Sequence, residues 1–229
     1  MNKKTIAICV PSGRQVEADM AFSLAGLTAF SAEHYRLGLF NEKSSVITRA
    51  REHLAERAIA HIQPDFILFI DSDLRFPPHA LKTLVDQAGP GKDIVCATYK
   101  KRSPPFEILG QLKDEKIDLM SQGFFHEAMF MPGGFMLIKT AVFRKLSHPW
   151  FFETYDEPNI AGGYMSEDFN FCRKARVNGF SIWCDLKLSE EIGHVGEQVI
   201  TMELPKPVPN PLLILPEAER PKANGALHV

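Results

Sequence analysis

An α/β fold with a mostly parallel central sheet and helices on both faces is predicted by three features of the sequence. The runs TIAICV (Thr5–Val10) and DFILFI (Asp65–Ile70) are nearly continuous in apolar residues rather than alternating, as in strands covered on both faces. Segments with apolar residues at helical spacing lie between them. Strand and helix then alternate through the first half of the chain, the pattern of parallel strands joined by helical crossovers.

The elements follow in order. Thr5–Val10 ends in the turn signals Pro11, Ser12 and Gly13. Glu17–Phe30 is predicted helical from Met20, Leu24 and Leu27, and Tyr35–Phe40 is a second short strand. Ser45–His61 is a helix with Val46, Ala50, Leu54 and Ala58 on one stripe. Asp65–Ile70 runs straight into Asp71-Ser72-Asp73. Pro78–Gln87 is a helix opened by proline, and Asp93–Tyr99 a further strand. Phe106–Leu112 and Ala128–Lys139 read as strands, the latter broken at Pro132-Gly133-Gly134. Thr140–Leu146 is a short helix, Ser166–Asn178 a longer one with Ser166 as N-cap and Gly179 as its stop, and Ser181–Leu186 a last strand. From Leu204 prolines recur at 205, 207, 209 and 211, so the expected organisation is one domain over 1–203 and a Pro-rich tail over 204–229.

Bulk properties narrow the function classes. The 229 residues suit a single domain with a tail, and 45% hydrophobic with 24% charged residues suits a buried core. A formal net charge of -2 gives no support to a nucleic-acid-coating or membrane-surface protein. None of the four cysteines forms a C-x-x-C pair. Cys9 and Cys96 sit in apolar runs, so buried free thiols and a reducing, cytoplasmic location are expected. No apolar run is long enough to span a bilayer, and Met1–Val10 lacks the features of a signal peptide.

Three motifs carry the chemistry. Asp71-Ser72-Asp73 lies at the carboxyl end of a buried strand, where open α/β sheets bind ligands. Two carboxylates there suit one hard cation, magnesium or manganese, shared with substrate phosphates; capping of the next helix is the alternative. Ser166-Glu167-Asp168 opens a helix. These are ordinary helix-start residues, and they also offer a carboxylate as general base. His194, flanked by Gly193 and Gly196, follows the last strand and is a potential metal ligand. Lys100-Lys101-Arg102 is either a phosphate-binding cluster or a solvated turn. Trp150-Phe151-Phe152 with Tyr155 is either a stacking platform for an acceptor or core.

The order of these motifs resembles the GT-A (Rossmann-like) glycosyltransferases, most nearly the family 2-like group. The matching segments are VPSGR (10–14), ITRAREHLAERA (47–58), PDFILFIDSDLRFPP (64–78), MPGGFMLIK (131–139) and SEDFNFCRKARVNGFSIWCDLKLSEEIGHVG (166–196). The resemblance implies a hexosyltransferase-like enzyme that moves a sugar from a nucleotide-sugar donor, with UDP the commonest carrier in the fold. It implies a metal site of Asp71, Asp73 and His194 holding Mn²⁺ or Mg²⁺, and Asp168 as base with Glu167 positioning it or the acceptor. Pro11, Ser12 and Arg14 would meet the nucleotide, as would Asp71 and Ser72. Arg49 or Arg51 would pair with the diphosphate or an acidic residue, and Gly133 and Gly134 would let the backbone pass close to the donor sugar. The membrane helices of many relatives are missing, residues 14–45 have no close match, and no processive acceptor loop is visible. Single-residue transfer is therefore expected, and one base with one metal-neutralised leaving group suits a single in-line, inverting attack; the acceptor is a glycan, a lipid-linked glycan, a protein or a modified DNA base. The alternatives are a retaining transferase, a sugar nucleotidyltransferase and a degenerate binding module.

Overall fold

The computed structural model describes residues 3–114, 123–155, 162–196 and 200–201; the predicted tail over 204–229 lies outside them. The large sheet has eight strands in the order β2-β1-β3-β8-β5-β9-β7-β6. These are β1 (Thr5–Ser12), β2 (Arg36–Lys43), β3 (Phe66–Ile70), β5 (Ile94–Cys96), β6 (Gln111–Leu112), β7 (Phe125–Phe130), β8 (Phe135–Lys139) and β9 (Ile182–Asp185). β2, β1, β3, β5, β9 and β6 point one way, and β8 and β7 run against them. A second, three-stranded sheet pairs β11 (Ile200–Thr201), β10 (Gly193–His194) and β4 (Leu74–Arg75).

The continuous apolar strands are buried on both faces, as their composition predicts. Ala7 and Cys9 of β1, Ile67 and Phe69 of β3 and Met136 and Ile138 of β8 join one core with α2 (Ile47–Ile62), α4 (Thr140–Lys145) and α5 (Glu167–Val177). Their neighbours Ile6, Ile8, Leu68, Ile70, Phe135 and Leu137 join a second core with α1 (Ala18–Ser31) and α3 (Ala80–Gln87). This is the period of two along a strand, with both faces used. All four cysteines are buried and free.

Several boundaries differ from the sequence reading. Phe106–Leu112 forms strand only at Gln111–Leu112, because Phe106 and Gly110 have positive φ (51° and 97°) and turn the chain off the extended path. Ala128–Lys139 is two strands that do not pair with each other: β7 lies beside β9 and β6, and β8 lies between β3 and β5. Ser166 is the N-cap of α5, but its hydroxyl makes no capping bond and donates instead to Asp168 Oδ1. The helix ends at Val177, with Gly179 at φ 86°, the left-handed conformation that a C-terminal glycine supplies cheaply. Among the described residues no helix is long and apolar enough to cross a membrane.

Candidate active site

The sheet topology brings the motifs to one edge. β1, β3 and β5 point their carboxyl ends at the same side, delivering Ser12, Asp71 and Tyr99. Because β8 is antiparallel to β3, its amino end arrives there too: Phe135 pairs with Ile70, and Asp71 N–H donates to the Gly134 carbonyl at 2.9 Å. The resulting cleft has a volume of about 370 Å³, and Pro11, Ser12, Asp71, Asp73, Asp168 and His194 are among its lining residues. It sits where open α/β sheets bind ligands, beyond the strand ends.

Arg51 organises the floor. It occupies the inward face of α2, one turn before the buried Leu54, Ala55 and Ala58, and is 2% exposed. Its guanidinium donates from Nη2 to Asp71 Oδ1 (2.9 Å), from Nη1 to the Gly133 carbonyl (3.0 Å) and from Nε to Glu167 Oε1 (3.2 Å). One cation thus ties the strand-end aspartate, the Gly-Gly turn and the start of α5. Burial alone would lower the Arg51 pKa, but Asp71, Glu167 and Asp168 raise it above its ordinary value. Burial also raises the carboxyls of Asp71 and Glu167 against the pull of Arg51, since one guanidinium faces three acids. The buried Tyr99 completes the floor, its hydroxyl accepting from Gly134 N–H (3.1 Å) and donating to Asp71 Oδ2 (3.5 Å).

Gly133 and Gly134 make room for this network. A Cβ on Gly133 would lie 3.0 Å from Arg51 Cζ. One on Gly134 would overlap the Tyr99 hydroxyl and the Asp71 carboxylate, reaching Asp71 Cγ at 2.8 Å. The absence of a Cβ at both positions thus clears space for Arg51, Tyr99 and Asp71. Gly134→Ala should cost about 1–3 kcal/mol of stability by overpacking. A thermal melt would read this, and an unchanged melting temperature would contradict the packing described.

Asp73 and His194 meet through the small sheet. β4 pairs with β10, placing His194 opposite Leu74, and Val195 N–H donates to the Asp73 carbonyl at 2.7 Å. His194 Nδ1 lies 2.9 Å from the Lys100 carbonyl, which accepts its proton and turns Nε2 toward Asp73 Oδ2, 3.4 Å away. Two ligands of one cation at bond lengths of roughly 2.0–2.2 Å stand roughly 3 Å apart, so this pair fits a shared divalent ion. The Lys100 carbonyl fixes the imidazole in the way an outer partner fixes a ligating histidine. Burial would raise the Asp73 carboxyl, but the bond to His194, the His194 charge and Arg102 hold it below its ordinary value. Burial would lower His194, and the contacts to Asp73 and Lys100 raise it.

Asp71 does not join them. Its two oxygens face Arg51 and Tyr99, and Asp71, Asp73 and His194 do not bring three ligand atoms within 4.8 Å. Among the described residues the group that does is Glu52, Glu56 and His148, where Glu52 already accepts from Trp150 N–H (2.9 Å) and Phe151 N–H (3.1 Å).

At the start of α5 the two acids part ways. Both line the cleft, but Glu167 is buried on Arg51, whereas Asp168 is half-buried. Asp168 Oδ1 accepts from Phe169 N–H (2.8 Å) and the Ser166 hydroxyl, and Oδ2 accepts from Gly133 N–H (3.0 Å). Among the described residues Oδ2 has this one donor, leaving a lone pair toward the cleft.

The other predicted residues divide. Pro11, Ser12 and Ser72 line the cleft; Arg14 lines a neighbouring hollow with Lys43 and Ser45. Arg49 is exposed on the outer side of α2, away from the cleft. Trp150 and Phe151 are core, 5% and 4% exposed and packed on Phe143 and Phe171; Tyr155 is exposed. Tyr99 and Arg102 were not assigned to the metal-and-acid site from sequence. Tyr99 closes an apolar strand at the sheet's carboxyl end, which is the signal that could have found it.

The sequence description of glycosyl transferase family 2 matches residues 42–147, a segment that holds Arg51, Asp71, Asp73 and Gly133-Gly134 and stops before Asp168 and His194. The fold is similar to the crystal structure of A197 from STIV, with a TM-score of 0.57 and 16% identity, covering 90% of this chain and 98% of that one. It is also similar to GalNAc-T7 crystallised with UDP, GalNAc and Mn²⁺, with a TM-score of 0.56 and 11% identity over 85% of this chain and 44% of that one, so the chain spans less than half of that protein. No curated protein matches the chain by sequence.

Proposed function

We propose that the chain is a family 2-like glycosyltransferase of the GT-A fold that carries out a metal-dependent, inverting, non-processive transfer of one sugar from a nucleoside-diphosphate sugar to an acceptor hydroxyl. The observation that carries the proposal is that the Asp73–His194 pair and the open edge of Asp168 face one cleft from different walls.

Asp73 and His194 would hold Mn²⁺ or Mg²⁺, which when bound neutralises the charge that grows on the diphosphate leaving group. Pro11 and Ser12, at the end of β1, would border the nucleoside, and Ser72 would approach the diphosphate. Asp168 Oδ2 would take the proton of the acceptor hydroxyl as its oxygen attacks the anomeric carbon opposite the leaving group. Glu167 is a positioning residue: tied to Arg51, it anchors the helix start that presents Asp168. Arg51 holds the floor together through Asp71 and Glu167 rather than reaching the donor. That GalNAc-T7 was crystallised with UDP and Mn²⁺ on this fold supports a UDP-sugar as donor and manganese as the ion. A cytoplasmic site of action, and a catalytic unit over 1–203 with 204–229 as a tail, belong to the same reading.

The test is release of nucleoside diphosphate from a panel of nucleotide-sugars by the full chain with Mn²⁺. Release from one donor, abolished by Asp73→Ala, is expected. Synthesis of a nucleotide-sugar from a sugar phosphate and a nucleoside triphosphate would replace this reading with a nucleotidyltransferase.

A further inference from the structure

We propose that Arg102 is a diphosphate-binding residue that exchanges between Asp73 and the nucleotide, so that metal and nucleotide binding are coupled through it. The inference rests on the functional reading above and adds a residue and a linkage to it.

Arg102 lies at the tip of a short hairpin rooted in the cleft wall. The hairpin is closed by the Lys100–Ile108 bridge, by Lys101 N–H on the Glu107 carbonyl (2.9 Å) and by Leu109 N–H on the Tyr99 carbonyl (3.0 Å). Its three adjacent cations do different things. Lys100 presents its carbonyl to His194, and Lys101 pairs with Glu107 at 2.7 Å. Arg102 alone of the three reaches the acidic motif, with Nη1 2.9 Å from Asp73 Oδ2, the same oxygen that faces His194 Nε2.

A guanidinium and a divalent ion bound between Asp73 and His194 would need that same oxygen, and two cations so close repel. Binding the ion must therefore release Arg102. The side chain is 63% exposed on a surface hairpin, so its release disturbs no core packing. The metal-bound diphosphate brings the charge that a freed guanidinium fits best, with a planar fork matched to two phosphate oxygens. One residue thus opposes the metal when it binds alone and supports the nucleotide when metal is present. Linkage requires the two effects to appear together as positive coupling.

The experiment compares the full-length wild type with Arg102→Ala and Arg102→Lys. Mn²⁺ binding alone is followed by the loss of the free-ion electron paramagnetic resonance signal, and UDP binding at saturating Mn²⁺ by calorimetry. Arg102→Ala should bind UDP with Mn²⁺ about ten- to a hundredfold more weakly, the loss of a charge-assisted contact. It should bind Mn²⁺ alone about three- to fivefold more tightly, a small gain because an exposed ion pair is a weak competitor. Arg102→Lys should fall between, keeping the charge and losing the fork. UDP affinity within twofold of wild type in Arg102→Ala, or unchanged Mn²⁺ affinity, would overturn the inference. A wild type that takes up neither UDP nor another nucleoside diphosphate with Mn²⁺ would instead overturn the functional reading beneath it.

Discussion

Asp168→Asn is expected to lower turnover by about 10²–10⁴-fold, the usual contribution of a general base, while donor affinity changes little. The substitution keeps the shape of the side chain and removes its ability to accept a proton. It also has a structural cost that the geometry specifies. Asp168 accepts from backbone N–H groups on both oxygens, Gly133 on Oδ2 and Phe169 on Oδ1. An amide satisfies one of them and turns its NH₂ on the other, at a cost of about 1–3 kcal/mol. Thermal stability and nucleotide affinity must therefore be measured on the same variant. A large fall in turnover with near-intact nucleotide binding identifies the base; turnover within threefold of wild type would exclude it and favour retention, which analysis of the product anomer would show.

Arg51→Met should destabilise the fold by about 3–5 kcal/mol, because it leaves the buried Glu167 and the partly buried Asp71 around a missing cation. For a chain of this size that corresponds to roughly 6–20 °C in melting temperature. The loss is a failure of charge compensation rather than of volume. Methionine fills much of the space of arginine, so a cavity is not the cause. Adding Glu167→Gln to Arg51→Met should recover part of the loss, because one of the stranded carboxylates is neutralised. A melting temperature within about 2 °C of wild type for Arg51→Met would contradict the view that this guanidinium holds the site floor together.

Much of this was legible in the sequence, for identifiable reasons. The buried runs of β1 and β3 and the stripe of α2 are local patterns, and Ala50, Leu54 and Ala58 are buried where the spacing predicts, while Val46, the first residue of that stripe, is exposed at the helix N-cap. The GT-A fold suggested by the motif order is the fold observed. Position 51 was also readable, since an arginine spaced 3, 4 and 7 residues before Leu54, Ala55 and Ala58 lies on the helix's apolar face. The hidden features depend on long-range pairing. Two-residue strands such as β4 and β10 have no period to detect, yet they bring His194 to Asp73. Insertion of β8 against the direction of β3 brings Gly134 beside Asp71, which no local pattern announces. The aspartates of the D-x-D motif look equivalent in sequence. The fold separates them, giving Asp71 to Arg51 and Tyr99 and leaving Asp73 with His194 and Arg102.

Calorimetric titration of UDP, GDP, CDP and dTDP into the full chain, with and without Mn²⁺ or Mg²⁺, bears most directly on whether this cleft is a metal-dependent nucleotide-sugar site. One nucleoside diphosphate should bind tightly, and its binding should be lost without the divalent ion and in Asp73→Ala. Binding of none of the four, or binding indifferent to the ion and to Asp73, would contradict it.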